Sequence, residues 1–394
     1  MYRAKILPMR FCMVTTFFPP LHFGGDAVFA TQLANELAIA GHDVEIVHCA
    51  DAFHLLQGGV SPSPLALHPA IRVHTISQGR ASPVLTQITG RLCLKRKAFE
   101  EILRSGFDVV HFHNISLIGL DAIPMTKALR VCTLHDYWWI CPTHILFRNG
   151  REACDSRDCI SCQIVQRRPP QLWRLGSMME EAARSIDLFL APSEFVRQRY
   201  ASTPPYIDAK VLPHFVRESS VPQRVESNYY LYAGRLERAK GLQEIIPVFL
   251  RTGRRLVIAG AGEFEPQLRK LAGASPLIEF LGRVQHSEMD TIYANARATI
   301  VPSICFETFG LTILESLQAG TPVITSSFGA LPEVIRNTAG GFVYRDLNEL
   351  EQILDQTDSP QFRGDWRAPD LRLFRPEAHL ARYLGWIERA RRTQ

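Results

Sequence analysis

The segment Pro302-Ser-Ile-Cys-Phe-Glu307-Thr-Phe-Gly-Leu-Thr-Ile-Leu-Glu315-Ser-Leu-Gln-Ala-Gly320-Thr-Pro-Val323 concentrates the chemistry of this chain. Its order reads as strand, loop, helix, glycine stop and strand. Phe309-Gly310-Leu311 would open the helix, where backbone N–H groups lack partners and point at an approaching anion. A phosphate suits that place. Glu307 precedes the helix and Glu315 lies inside it, so eight residues of continuous helix would separate them by about 12 Å. A hydrolytic carboxylate pair works at about 5–9.5 Å, which disfavours direct glycoside hydrolysis. Spacing alone leaves Glu315 open to a second reading, as an exposed helix residue.

A second group is Tyr232-Ala-Gly-Arg235-Leu-Glu-Arg-Ala-Lys240-Gly241. Two cations follow a strand between glycines, an arrangement suited to a diphosphate whose charge grows as it leaves. Without the glycines the same cations would read as a surface pair. Gly260-Ala-Gly262 begins a dinucleotide fingerprint, but Glu265 stands where the third glycine belongs. That reading is rejected. The chain holds no Asp-x-Asp motif, so protein cations would take the place of a metal.

These residues need a frame. The 394 residues exceed what one core serves and suggest two or three domains. With 46% hydrophobic and 21% charged residues, the chain is an ordinary globular one, which excludes disorder and collagen. A net charge of +5 is too mild to argue for nucleic acid. Arg3, Lys5 and Arg10 precede the apolar run Phe11–Phe18, in the manner of a signal peptide. Its two threonines, the following Pro19-Pro20 and the lack of a small-residue cleavage site favour a buried first strand instead. No apolar stretch reaches the roughly 18 residues of a membrane span. Nine cysteines without a secretory signal point to a reducing compartment, and hence a cytoplasmic location.

Short apolar runs alternate with helical patterns along the chain, as in a parallel sheet covered on both faces. The first series holds strands at Arg10–Thr16, Val44–His48, Val109–His113, Val131–His135, Leu188–Ala191 and Val211–Pro213, with a helix at Ala27–Ala40. The second holds Tyr229–Ala233, Leu256–Ala259, Ile278–Leu281, Thr299–Pro302 and Val323–Thr325. The fold class is therefore α/β, two doubly wound Rossmann-like domains with the ligand cleft between them. The domains are expected at 1–217 and 218–375, followed by a C-terminal helix over 376–394 whose packing partner the pattern leaves open.

The Glu-x7-Glu spacing before Gly-Thr-Pro-Val resembles the donor-binding signature of retaining GT-B glycosyltransferases of family 4. The Arg235/Lys240 segment, Ile258-Ala-Gly260-Ala-Gly262, Phe280-Leu-Gly-Arg-Val284 and Phe328-Gly-Ala-Leu-Pro-Glu333-Val-Ile extend the match. In the first half Gly24-Gly25 and Thr133-Leu-His135-Asp136 fit it as well. The resemblance implies a sugar moved, with retention, from a nucleotide-diphosphate donor to an acceptor hydroxyl, without a catalytic metal. It assigns the diphosphate to Arg235, Lys240 and the N–H groups of Phe309, Gly310 and Leu311. Gly25, Gly260 and Val284 line the donor, Glu307 holds its sugar hydroxyls and Glu315 its ribose, and His135 sits beside the anomeric carbon. An epimerase of the same plan, or a nucleotide-sugar-binding protein without catalysis, would carry a similar pattern.

Other features stand apart. Cys141, Cys154, Cys159 and Cys162 fall within 22 residues, with one Cys-x2-Cys pair. They read as a structural zinc site pinning the loop after His135, or as reduced thiols. Trp138 and Trp139 follow Asp136 and would stack on an acceptor at the cleft rim or pack in the core. Lys95-Arg96-Lys97 and Arg167-Arg168 read as solvated faces or as a surface for anionic membrane lipid.

Overall fold

The computed structural model describes residues 7–57, 64–155, 158–217, 228–367 and 369–393. Arg3, Lys5 and the polar stretch 218–227, on which parts of the sequence reading fall, lie outside the described residues.

Seven parallel strands form the first sheet: β1 (Arg10–Thr15), β2 (Asp43–Cys49), β3 (Arg72–Ile76), β4 (Val109–Phe112), β5 (Leu129–Thr133), β6 (Leu188–Ala191) and β7 (Ala209–Val211). Their order is β3-β2-β1-β4-β5-β6-β7. β1 reads Arg-Phe-Cys-Met-Val-Thr, and all but its first residue are buried, because helices cover both faces. β3 lies at the edge, where Arg-Val-His-Thr meets solvent. The second sheet is also parallel: β8 (Tyr229–Ala233), β9 (Arg255–Ala259), β10 (Ile278–Gly282), β11 (Thr299–Val301), β12 (Val323–Ser326) and β13 (Gly341–Tyr344). Its order is β10-β9-β8-β11-β12-β13.

The strand order reverses between β1 and β4 in one sheet and between β8 and β11 in the other. Ligands of such sheets bind beyond the carboxyl ends of the strands at that reversal. The chain there runs into Thr16 and His113, and into Gly234 and Pro302. Every segment singled out for donor chemistry leaves a sheet by this edge or opens the helix after it.

Seven helices concern the site and its surroundings: α1 (Gly25–Ile39), α2 (Ala81–Thr89), α3 (Cys159–Val165), α4 (Glu194–Ala201), α5 (Leu311–Gln318), α6 (Leu331–Thr338) and α7 (Pro376–Arg391). Helix α1 buries Ala27, Phe29, Ala30, Leu33 and Leu37 on the first sheet. Helix α7 returns from the second half to the first: Tyr383, Leu384 and Ile387 share one core with Phe11, Phe29 and Val131. Its His379 Nδ1–H donates to the Pro213 carbonyl at 2.8 Å, and the Tyr383 hydroxyl lies 2.8 Å from His111 Nδ1. Among the described residues no helix is long and apolar enough to cross a membrane.

Candidate active site

Gly241, just past Lys240, has φ +76, and a Cβ there would come within 1.9 Å of the Pro302 carbonyl oxygen. Only glycine lets the turn after β8 lie on the loop after β11. That contact brings Lys240 Nζ to 2.7 Å from Glu307 Oε1, which also accepts from Ser303 Oγ at 2.5 Å. Burial by itself would raise the Glu307 pKa and lower that of Lys240. The opposite charge beside each wins, so the carboxyl is held below its usual range and the ammonium above. Both side chains keep some access to solvent, 22% for Lys240 and 17% for Glu307. Arg235 is half-exposed and pairs with Glu237.

The neighbouring donor candidates gather at the same edge. Gly260 follows β9 and donates its N–H to Gly282 O at 2.7 Å. Val284 packs, half-buried, on the cluster of Leu231 and Tyr293. Phe309 is buried with Ile313 and Leu331, and Gly310, at φ +91, starts α5 at Leu311. Glu307 thus stands in a loop, and only the stretch from Leu311 to Glu315 is helical. The 12 Å separation of a continuous helix therefore does not apply to the two glutamates. The Glu315 carboxylate accepts from the Tyr293 hydroxyl at 2.9 Å.

Across from them lies the first sheet's edge. A Cβ on Gly25 would stand 3.5 Å from Leu311 Cδ1, so the first residues of α1 and α5 meet. His135, just past β5, accepts at its carbonyl from Thr308 Oγ1 at 2.9 Å. Ser193 Oγ donates to the Thr308 carbonyl at 2.8 Å. The Glu333 carboxylate, on α6, accepts the opening N–H groups of α4 from Glu194 at 2.8 Å and Phe195 at 3.0 Å. These contacts tie the two sheets together around His135. Thr308 and Ser193 had no separate signal in the sequence, and Glu333 was marked only by the resemblance of its segment, since each partner comes from the opposite half.

His135 sits in a stack of histidine rings, with the His113 and His214 centroids each 5.2 Å away. Burial lowers its pKa, partly offset by Asp26 and Asp136. His113 Nδ1 lies 2.9 Å from His135 Nε2, and His113 Nε2 lies 3.3 Å from the sulfur of Met13. A thioether accepts but cannot donate, so His113 carries its proton on Nε2. Its Nδ1 then accepts from His135 Nε2–H, which leaves His135 Nδ1 as the acceptor of that ring. His113→Phe keeps the bulk and removes this partner. Losing one buried hydrogen bond is expected to slow transfer by about 10–100-fold. Long-range nitrogen–proton NMR of His135 should report a changed tautomer; an unchanged tautomer with unchanged turnover would refute the assignment.

Several expectations need correction. Trp138 and Trp139 are 4% and 5% exposed and belong to the first core, not to a rim. Trp139 meets Phe189 edge to face at 5.3 Å, and Arg174 lies 5.0 Å over Trp138. Asp136 accepts from Trp138 N at 2.9 Å and from His144 Nδ1 at 2.7 Å, so its carboxylate organises its own turn. Lys95 is not a solvated cation: it is 1% exposed and 3.9 Å from Asp51. The four cysteines Cys141, Cys154, Cys159 and Cys162 do line one cavity. However, among the described residues no three His, Cys, Asp or Glu side chains are arranged to hold a metal ion, so the zinc reading finds no support. The Cys162 sulfur instead accepts from Asn149 N at 3.3 Å and Gln166 Nε2 at 3.1 Å.

Two family models match the chain: Glycosyltransferase Family 4 over residues 23–219 and Glycosyl transferases group 1 over residues 217–356. A glycogen synthase of Mycobacterium tuberculosis is 26% identical over 393 residues, covering 90% of this chain and 88% of its own. An uncharacterized glycosyltransferase of Methanocaldococcus jannaschii is 24% identical over 355 residues, covering 84% of each. Among solved structures, a sucrose-phosphate synthase from Thermosynechococcus elongatus superposes with TM-score 0.72 at 17% identity, covering 98% of this chain and all of its own. An Anabaena protein in complex with UDP and glucose gives TM-score 0.68 at 17% identity, covering 96% and 99%. The two sheets with their flanking helices form a GT-B fold.

Proposed function

We infer the reaction from the family to which this chain belongs, the family 4 and group 1 glycosyltransferases. The protein is a GT-B glycosyltransferase that transfers a sugar from a nucleotide-diphosphate sugar. We propose further that transfer retains the anomeric configuration, needs no metal, and delivers the sugar to a hydroxyl of a glycan, lipid-linked or small-molecule acceptor. In that reaction the bond from the anomeric carbon to the diphosphate oxygen breaks. The acceptor oxygen forms the new bond, and its proton leaves.

The observation that carries the reading is the meeting of Lys240 with Glu307 at the reversal of the second sheet, opposite Gly25 and His135. Lys240 and Arg235 would neutralise the departing diphosphate, aided by the N–H groups of Phe309, Gly310 and Leu311. Glu307, kept ionised by Lys240, would accept hydroxyls of the donor sugar. Glu315, already an acceptor for Tyr293, would take the ribose. Gly25, Gly260 and Val284 would border the donor. His135 would stand beside the anomeric carbon, and its Thr308 contact supports a position at the junction of the halves. The two separate sheets support a division into 1–217 and 218–375, and the first core's share of Tyr383 and Ile387 supports a helix over 376–394 that returns to it.

A nucleotide that binds only the folded chain must stabilise it, by about 2.7 kcal/mol at a hundred times its dissociation constant. Thermal unfolding with UDP-, GDP- and ADP-sugars, in the presence of EDTA, is expected to pick out one base. No shift with any of them would overturn the reading. Proton NMR of the product's anomeric centre then tests retention, which an inverted configuration would refute.

A further inference from the structure

Nineteen large apolar side chains are exposed among the described residues, and nine of them fall within residues 84–94 and 160–175. The most open are Ile88, Ile164, Val165, Leu172 and Leu175, at 50–74%. The two stretches are stitched into one face. Gln171 Nε2 donates to Gln87 Oε1 at 2.8 Å, Gln87 Nε2 to the Pro169 carbonyl at 3.2 Å, and Trp173 Nε1 to the Gln87 carbonyl at 3.0 Å. Helix α3 joins them, since the Gln163 side chain accepts from Gln171 N at 3.0 Å.

Within the two stretches the charge has one sign, with exposed Asp158, Glu180 and Glu181 at their borders. From Ser77 to Phe99 and from Cys159 to Met179 there is no Asp or Glu, yet the two stretches carry eight Lys and Arg. Three of these are used internally: Lys95 lies beside Asp51, Arg96 pairs with Asp121, and Arg174 sits over Trp138 and Trp173. Arg80, Arg91, Lys97, Arg167 and Arg168 are exposed and make no ion pair with another described residue. They number as many as the whole chain's net charge of +5.

We propose that this face, built from α2, α3 and the turn at Leu172–Leu175, docks the protein on an anionic membrane surface. Apolar side chains enter the headgroup boundary while the surrounding cations meet lipid phosphates, the two signals that stable peripheral binding requires. A second copy fits poorly, because both copies would present uncompensated cations. The face is tied to the segment that follows His135: Arg174 Nη2 donates to the Trp138 carbonyl at 2.8 Å. An acceptor anchored in that membrane would reach the cleft from the His135 side, a step that rests on the transferase reading, whereas the binding does not.

The test is sedimentation of the full chain with vesicles, measured without turnover, so it stands apart from any failure of the transferase assay. Vesicles with about one third phosphatidylglycerol should hold the protein at low salt, and pure phosphatidylcholine about tenfold less. High salt should release it. The pair Arg167→Glu with Arg168→Glu, and the pair Leu172→Ser with Leu175→Ser, should each weaken binding about tenfold at unchanged melting temperature, as expected of exposed positions. No binding to anionic vesicles at low salt, or equal binding by the variants, overturns the proposal. Self-association abolished by the serine pair would assign the face to a second copy, and retention on polyglutamate without vesicle binding would assign it to an acidic protein; either result overturns it too.

Discussion

Lys240→Ala is expected to lower sugar transfer by about 10²–10³-fold, the usual cost of removing one preorganised charge-stabilising donor. The ammonium lies at the carboxyl edge of the second sheet, where a diphosphate would lose the sugar. Arg235, half-exposed and paired with Glu237, would compensate for the loss only in part. The substitution has a second effect through Glu307. In the intact protein Lys240 holds that carboxyl below its ordinary pKa of 4.5 against the opposing push of burial. The stability this pairing contributes is complete above the unfolded pKa and is lost as pH falls through the lower folded value. Without Lys240, burial prevails, so Glu307 protonates at higher pH. The acid limb of the residual activity should therefore move upward in the variant. Glu307→Ala separates the two effects, since it should impair transfer more than nucleotide affinity. Turnover by Lys240→Ala within a factor of two of the parent would refute the role.

Whether a sequence reading survives depends on where each residue's partner comes from. Central strands such as Leu188–Ala191 and Tyr229–Ala233 stand at their expected bounds, because burial on both faces forces an unbroken apolar run. Of the four edge strands, Ile278–Gly282 and Ala209–Val211 overlap expected runs, and the other two left no such mark. Arg72–Ile76 is largely solvated, and Gly341–Tyr344 begins on a glycine and is only half-buried over most of its length. Lys240 was legible from the glycines flanking its segment, and Glu307 from its spacing to Glu315 ahead of Gly-Thr-Pro-Val; the close approach of Gly329 to the Glu307 backbone was not. His113 was legible only as the end of a strand, since its role depends on Met13 and His135 from neighbouring strands. Local sequence also hid the orientation of Trp138 and Trp139 and the inward turn of Lys95. The cysteines were grouped correctly, but spacing cannot report whether sulfurs converge on one point.

Stability is expected to fall steeply as the pH drops from 7 toward 5, and the cause is a buried column of histidines. His111 stacks on His113 at 4.1 Å, His113 on His135, and His135 on His214. His379 joins through Phe29 and Phe215, with its Nδ1–H on the Pro213 carbonyl. Burial lowers the pKa of every member, and for His379 to about 4, although its bond to Pro213 pushes the other way. Burial also brings His48, outside the column, to about 4. Each ring is neutral in both states above 6.5. Below 6.5 the unfolded chain gains a proton that the folded chain refuses, so stability is lost until the folded pKa is reached. By pH 5.5 each such histidine costs on the order of 1 kcal/mol, and His111, His113, His214 and His379 together several kcal/mol. That is comparable to the whole stability of many proteins. Urea midpoints at pH 7.5, 6.5 and 5.5 would record the decline, and His379→Phe should flatten it by one histidine's share. A midpoint constant across that range would mean that the rings take up protons in place. The column joins β4, the segments just after β5 and β7, and α7, so protonation would act on the packing around His135.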